Sequence, residues 1–504
     1  EEKILLVHSD SYRYFGAFDD DGKRFSYAST ERNGRDFDLY TYDFITHSSK
    51  MIYESKFGFY PRAWRPKTSQ LLMAEVRGED AVNLYILDAD SGKSNVLYNP
   101  DIAADFNSFA WKKNGEGFYF SSNLNGEMNE VLFYDVISHQ TTTIVKNTLN
   151  LEKVRLCNND KSLIWTINQN GYDKLQVLNL VNNKHQEIDI HKGVYELSCT
   201  SENNLLSVLV SSSDTPGTLY LHDLDTGLTK SFIDPEMAGI NPQNLKHPKV
   251  VTFKARDGVT IQGLLYLPPV IHKGLTPPVV INVHGGPTSQ SRPSWRPINQ
   301  YLLGKGIAVL DINVRGSTGF GKKYARLDDK KNRLNSVRDL VDAINWLEKS
   351  GQVNSEKSAV MGGSYGGYMV NAVMGLYPST FKAGASFVGV ADWVRALKTA
   401  SPGLKASDII EYGDIREEKW QKFYANNSPI NTVGKITSPM FFEHGVNDPR
   451  DPIEESDSMV KILRQNNVPV TYLRFSDEGH RISKVSNKIL FYRELANFLE
   501  RHLN

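Results

Sequence analysis

Three residues far apart in the chain, one serine, one aspartate and one histidine, stand in an order that could activate a hydroxyl. Ser364 lies in "MGGSYGGY" (Met361 to Tyr368), inside the G-x-S-x-G run Gly362-Gly363-Ser364-Tyr365-Gly366. The apolar run "SAVMG" precedes it and the helical stretch "GGYMVNAVMGLY" follows, so the serine is expected on a tight strand-to-helix turn. Small neighbours are what such a turn demands, because backbone passes close to backbone there. The pattern alone is weak: about 0.2 matches arise by chance in a chain this long. A serine hydroxyl is a poor nucleophile near neutral pH and needs a base, which in turn needs an orienting acid. On this type of turn the chain order should be serine, then acid, then histidine. "FFEHGVNDPRDP" supplies Asp448 just past a strand end, and "VTYLRFSDEGHRISK" supplies His480 just past another. Open α/β sheets place their sites at such ends.

Rivals are present for each role. His444 precedes the loop and is expected to be structural, and His502 sits in the terminal helix. Asp451 competes with Asp448 for the acid, while Asp477 and Glu478 are too near His480 in sequence to approach the ring from behind. A developing oxyanion needs two N–H donors. The backbone of Tyr365 offers one, and the strand-then-loop run "VVINVHGGPTSQ" offers the N–H of Gly286 as the other.

The elements that must position these residues read as α/β over the second half of the chain. Strand-like runs "VVINVHG", "IAVLDINV", "SAVMG" and "MFFEHG" alternate with helical runs such as "SVRDLVDAINWLEK", which implies a parallel sheet covered on both faces. The first half has another rhythm. "DLYTYD", "NLYILD", "VLFYD", "LQVLN" and "LYLHD" each carry an apolar anchor followed four places later by Asp or Asn. The anchors Leu39, Leu84, Val131, Leu175 and Leu219 recur every 44 to 47 residues. A period of that size with several strands per repeat predicts a β-propeller of about five recognisable blades. The proline-bearing stretch Asp234 to Lys249 reads as the joint, giving a propeller over 1–240 and an α/β-hydrolase domain over 241–504.

Bulk composition narrows the partners. Lys+Arg and Asp+Glu are both 58, so no net charge favours nucleic acid or an anionic membrane. No apolar run is long enough to span a bilayer, and the opening "EEKILLVHSD" lacks a secretory pattern. A cytoplasmic location is therefore expected, with secretion left open because a removed signal peptide would leave no trace. Cys157 and Cys199 fit no metal or redox spacing and are expected as free core thiols. No ligand cluster or phosphate-binding loop implies a metal or cofactor. Association into a homo-oligomer is left open.

The set "HGGP", "RGSTGFG" (Arg315 to Gly321), "GGSYGGY", "HGVNDPRDP" and "DEGH" resembles the prolyl oligopeptidase family of serine peptidases, nearest to its acylaminoacyl-peptidase branch. The resemblance covers about residues 250–504 closely and the blades more loosely. It implies a catalytic domain lidded by a propeller and acting on short peptides. It also implies Ser364 as nucleophile, Asp448 as acid, His480 as base, and Tyr365 and Gly286 as oxyanion donors. Arg450 in "NDPR" matches an arginine that binds the substrate carbonyl, and Trp393 in "VADWVR" stands where relatives line the primary specificity pocket; a surface salt bridge and core packing are the plainer roles for the two. Relatives usually have seven blades and often a preceding helical segment; about five blades are counted here and that segment is not evident, so either the propeller is small or the true N-terminus is missing from the chain. Dipeptidyl peptidases of the family use paired acidic residues to hold the substrate amine, yet no two glutamates are adjacent between residues 3 and 240. A carboxylesterase using the same triad is the alternative activity, and an inert binding scaffold a third.

Overall fold

The structure, a computed structural model, describes residues 5–6, 11–78, 80–200, 202–269 and 276–503, so most of the stretch "EEKILLVHSD" lies outside the described residues. Its first half is five four-stranded antiparallel meanders, spanning 13–53, 59–98, 106–145, 151–188 and 194–233. Each sequence anchor falls on the third strand of its blade. The Asp or Asn four places on closes that strand with an Asx turn, its side-chain oxygen accepting backbone N–H groups of the hairpin that follows. Asp43 takes Ile45 and Thr46, Asp88 takes Ser91, Asp135 takes Ile137 and Ser138, Asn179 takes Val181 and Asn182, and Asp223 takes Asp225 and Thr226.

The anchors also stack the blades. Leu39 packs into an apolar cluster with the second blade, Leu84 with the third, Val131 with the fourth and Leu175 with the fifth. These four are fully buried, whereas Leu219 of the fifth blade is only partly so. Among the described residues, no apolar cluster joins the fifth blade to the first.

The cysteines are not the free thiols expected from their spacing. Cys157 and Cys199 form a disulfide between the first strands of the fourth and fifth blades, with Cα atoms 6.0 Å apart. Their separation of 42 residues is close to one blade period, which brings equivalent positions of neighbouring blades side by side. Closing a loop of that length stabilises by about 4 kcal/mol on the chain-entropy account.

The last propeller strand ends at Ile233 and the next sheet begins at Lys249. That sheet has eight strands, in spatial order Lys249–Lys254, Thr260–Tyr266, Ala308–Asn313, Pro278–Val283, Asn354–Gly363, Ala383–Phe387, Met440–Gly445 and Val470–Phe475. The first two pairings are antiparallel and the rest parallel. Both faces are covered, so its strands are apolar on both sides: Val279, Ile281 and Val283 enter one core and Val280 the other. The helix Arg333–Ser350 buries Val337, Leu340, Ala343 and Leu347 and ends at Gly351, whose φ of 63° suits a left-handed C-cap.

Candidate active site

Ser364 sits between the strand Asn354–Gly363 and the helix Tyr365–Leu376, with φ 57° and ψ −120°. A non-glycine residue held there stores about 1–3 kcal/mol of strain. The glycines around it make the turn. A Cβ at Gly362 would lie 2.7 Å from Gly366 backbone, and one at Gly366 would lie 2.2 Å from the Val283 carbonyl oxygen. The neighbouring strand passes too close for any side chain.

The acid and base come from loops after the last two strands. Backbone bonds from Val446 N–H to Phe475 O and from Asn447 N–H to Glu478 O stitch these loops together. A Cβ at Gly445 would fall 2.3 Å from the Gly479 carbonyl oxygen, so this contact too requires glycine. The result sets His480 Nδ1 2.7 Å from Asp448 Oδ2, leaving Nε2 for another partner. The other oxygen, Oδ1, accepts the N–H groups of Arg450 and Asp451 at 2.8 and 3.0 Å. Burial works against the ionised Asp448 carboxylate, but His444, His480 and the Asp451 N–H together hold its pKa well below the usual range. Asp451, the rival acid, is 3.7 Å from His480 Nδ1, and burial pushes its pKa up to about 6. Asp477 and Glu478 turn away from the ring: Asp477 pairs with Lys484, and Glu478 accepts from Ser483, Lys484 and Asn487.

Among the described residues, no hydrogen bond joins Ser364 to His480. Such bonds are often long or misaligned until substrate is bound. Both oxyanion candidates flank the serine. A Cβ at Gly285 would lie 3.3 Å from Ser364 Cβ, so the Gly285-Gly286 loop runs alongside it. Neither the Gly286 nor the Tyr365 N–H has an acceptor among the described residues. Gly286, Ser364, Tyr365, Trp393, Arg450 and Asp451 line one small cavity of about 50 Å³.

Trp393 is both core and wall. Its ring lies 4.8 Å from Tyr368 and from Tyr412, while its indole N–H makes no hydrogen bond among the described residues. Arg450 is exposed and, among the described residues, makes no ion pair. Two histidines brace these loops from behind. His444, expected to be structural, bonds Ser456 and the Asp451 carbonyl and lies 3.5 Å from Asp448 Oδ2, bracing the acid loop. His284 braces the oxyanion loop through the Gly285 carbonyl and Ser317. The "HG" of each motif was the available signal, because both histidines end a strand just before a functional loop.

This arrangement can polarise a hydroxyl, hold the resulting imidazolium beside a carboxylate, and offer two N–H groups to a tetrahedral oxyanion. Residues 293–504 match the prolyl oligopeptidase family. The chain is 33% identical over 315 residues to dipeptidyl aminopeptidase BIII of Pseudoxanthomonas mexicana, covering 60% of this chain and 45% of that one. To the acylamino-acid-releasing enzyme of Rattus norvegicus it is 28% identical over 238 residues, covering 45% and 31%. The chain thus spans less than half the length of these curated relatives. A puromycin-hydrolyzing peptidase from Mycobacterium tuberculosis shares the fold with a TM-score of 0.87 at 17% identity, over 98% of this chain and 80% of that one. These matches tie residues 293–504, most of the catalytic domain, to the prolyl oligopeptidase family.

Proposed function

We propose that this protein is a serine peptidase that hydrolyses short peptides through an acyl-enzyme. Ser364 attacks the peptide carbonyl, and His480 takes its proton and passes it to the leaving amine. Asp448 fixes the imidazole and balances its charge, while the Tyr365 and Gly286 N–H groups receive the oxyanion. Water then repeats the sequence to release the acid. The observation that carries the reading is the 2.7 Å Asp448–His480 pair, whose acid loop lines the cavity of the strained Ser364 turn through Arg450 and Asp451. Arg450, free of ion pairs among the described residues, is suited to bind a substrate carbonyl, and Trp393 to contact the side chain before the cut.

Access favours short chains. A second cavity of about 740 Å³ lies between the first blade and the catalytic domain and shares Leu397 and Asp408 with the first. An extended peptide fits such a passage and a folded protein does not. The name of one curated relative, a dipeptidyl aminopeptidase, supports peptides over simple esters. The Cys157–Cys199 disulfide supports an oxidising compartment in place of the cytoplasm expected from sequence.

Fluorophosphonate labelling tests the assignment: wild type should react, and Ser364→Ala should lose both label and turnover, by about 10⁶-fold in kcat. Equal labelling of the two proteins would remove Ser364 from the mechanism. Faster turnover of a simple ester with no cleavage of a blocked amino-acid anilide would favour the esterase.

A further inference from the structure

The motif "RGSTGFG" has no part in the chemistry above, yet it begins a segment that contacts Tyr365 directly and the Gly286 loop through His284. Arg315 anchors its start, buried between Asp339 and Asp257 at 2.7 Å from each. Ser317 Oγ lies 2.8 Å from His284 Nε2, and His284 Nδ1 lies 2.8 Å from the Gly285 carbonyl oxygen. Burial lowers the His284 pKa to about 4, so the ring is neutral; its single N–H can go to the Gly285 carbonyl, while the Ser317 hydroxyl is divided between Nε2 and the Val314 carbonyl at 2.6 Å. That chain of contacts ends on the loop carrying the Gly286 N–H.

The other end of the segment holds the second donor. Asp328 Oδ2 accepts the Tyr365 hydroxyl at 2.9 Å, and Arg333 reaches both Asp328 and that hydroxyl. Arg333 also bonds Glu411, and its guanidinium lies 4.5 Å over the Tyr412 ring. Asp328 and Arg333 are both essentially inaccessible to solvent. Gly316, with φ 96°, packs directly on the Asp328 carboxylate, where an added Cβ would fall 2.2 Å from Oδ1. The segment is thus folded back on itself between its two attachments.

Between those ends, the segment is docked on the propeller. Lys322 N–H bonds the Glu127 carbonyl at 2.9 Å and Lys323 N–H bonds its carboxylate at 2.8 Å. Arg326 pairs with Asp80 at 3.2 Å and donates to the Ala103 carbonyl at 3.0 Å.

We infer that residues 315–333 form a positioning element for the oxyanion hole, with Ser317 and Asp328 holding its two halves and Arg326 pinning the element to the propeller. The inference rests on the serine-peptidase reading for its effect on rate. The propeller then acts on the chemical step as well as on access.

The test uses the full chain and p-nitrophenyl acetate, a substrate too small to be filtered by the propeller. Misplacing a catalytic group by about 1 Å costs about 100-fold, so Asp328→Ala should lower kcat by about that factor with KM within about twofold. Arg326→Ala should lower kcat by about 10-fold, a partial misplacement, and Arg326→Lys should recover most of it. Amide exchange should quicken at residues 284–289 and 364–368 in both alanine variants. Should Asp328→Ala fail to fold, Ser317→Ala takes its place with the same expectation at 284–289. Unchanged kcat in folded Arg326→Ala, or unchanged exchange at both loops, would overturn the inference. If wild type takes neither ester nor fluorophosphonate, the hydrolase reading fails, and the exchange measurement still decides the positioning role.

Discussion

The blades and the catalytic sheet are held by different physics. Each blade meets its neighbours through aliphatic and aromatic side chains set by one repeated anchor, and each hairpin is closed by its own Asx turn. At the C-terminal edge of the catalytic sheet, position is set instead by buried polar pairs and by glycines that admit backbone at van der Waals distance or less. Arg315–Asp339, Arg333–Asp328, His284–Ser317 and Asp448–His480 all lie there. An apolar contact tolerates small slips, whereas a buried ion pair with one partner displaced leaves an uncompensated charge. A propeller lesion should therefore appear in stability, and a lesion at the sheet edge in rate.

The largest break in that contrast should come from Asp448→Asn. The side chain keeps its size, but an amide cannot hold the imidazole in the tautomer that accepts the serine proton, and kcat should fall by about 10⁴-fold. Urea unfolding measured beside steady-state kinetics would check the contrast. A large loss of stability with little loss of kcat would show that Asp448 belongs with the structural residues.

A smaller effect should separate the two regions by pH. Glu443 lies in the strand Met440–Gly445 before the acid loop and is 4% exposed. Burial pushes its carboxyl up to about 7, with the nearby Asp448 and Glu478 adding to the rise against His444. The folded state therefore prefers the neutral acid. That preference contributes stability fully below the ordinary value of 4.5, and the contribution is lost as pH rises through about 7. A shift of that size corresponds to about 3 kcal/mol. Glu443→Gln should match wild type near pH 4.5 and exceed it by about that amount at pH 8 in urea unfolding. Parallel curves for the two proteins at both pH values would show that the fold has no preference for the neutral form of Glu443.

What could be read from the chain follows the same division. The blades were legible because each anchor and its Asp or Asn act within a few residues, and the pattern repeats. The serine turn was legible because glycine density reports backbone proximity directly. Asp448 and His480 were legible through their order and their places after strand ends, which left Asp451 as a rival until the family resemblance named Asp448. The disulfide was not, because Cys157 and Cys199 become neighbours only once two blades stack in register. Nor were Ser317 with His284, or Asp328 with Tyr365: each pair is more than 30 residues apart and is assembled by topology. "RGSTGFG" showed that something there was constrained, but its contacts lie on partners that no local spacing could name.

The smallest expected effect tests the propeller side of the comparison. Asp135 closes the third strand of the middle blade, accepting from Ile137 and Ser138 N–H and from the Ser138 hydroxyl. Those bonds hold its pKa below the ordinary carboxylate value, with the Ser138 contacts leading. The hairpin is exposed, so the freed N–H groups in Asp135→Ala can turn to water, and the loss of stability should be small. Because the blade meets the rest of the ring through Val131 and not through this turn, kcat and KM should stay at wild-type values. Thermal unfolding and peptide turnover on the same preparation would check both halves. A fall in kcat without a fall in stability would mean that a turn at the outer rim is felt at Ser364, and the division between modular packing and polar positioning would not hold.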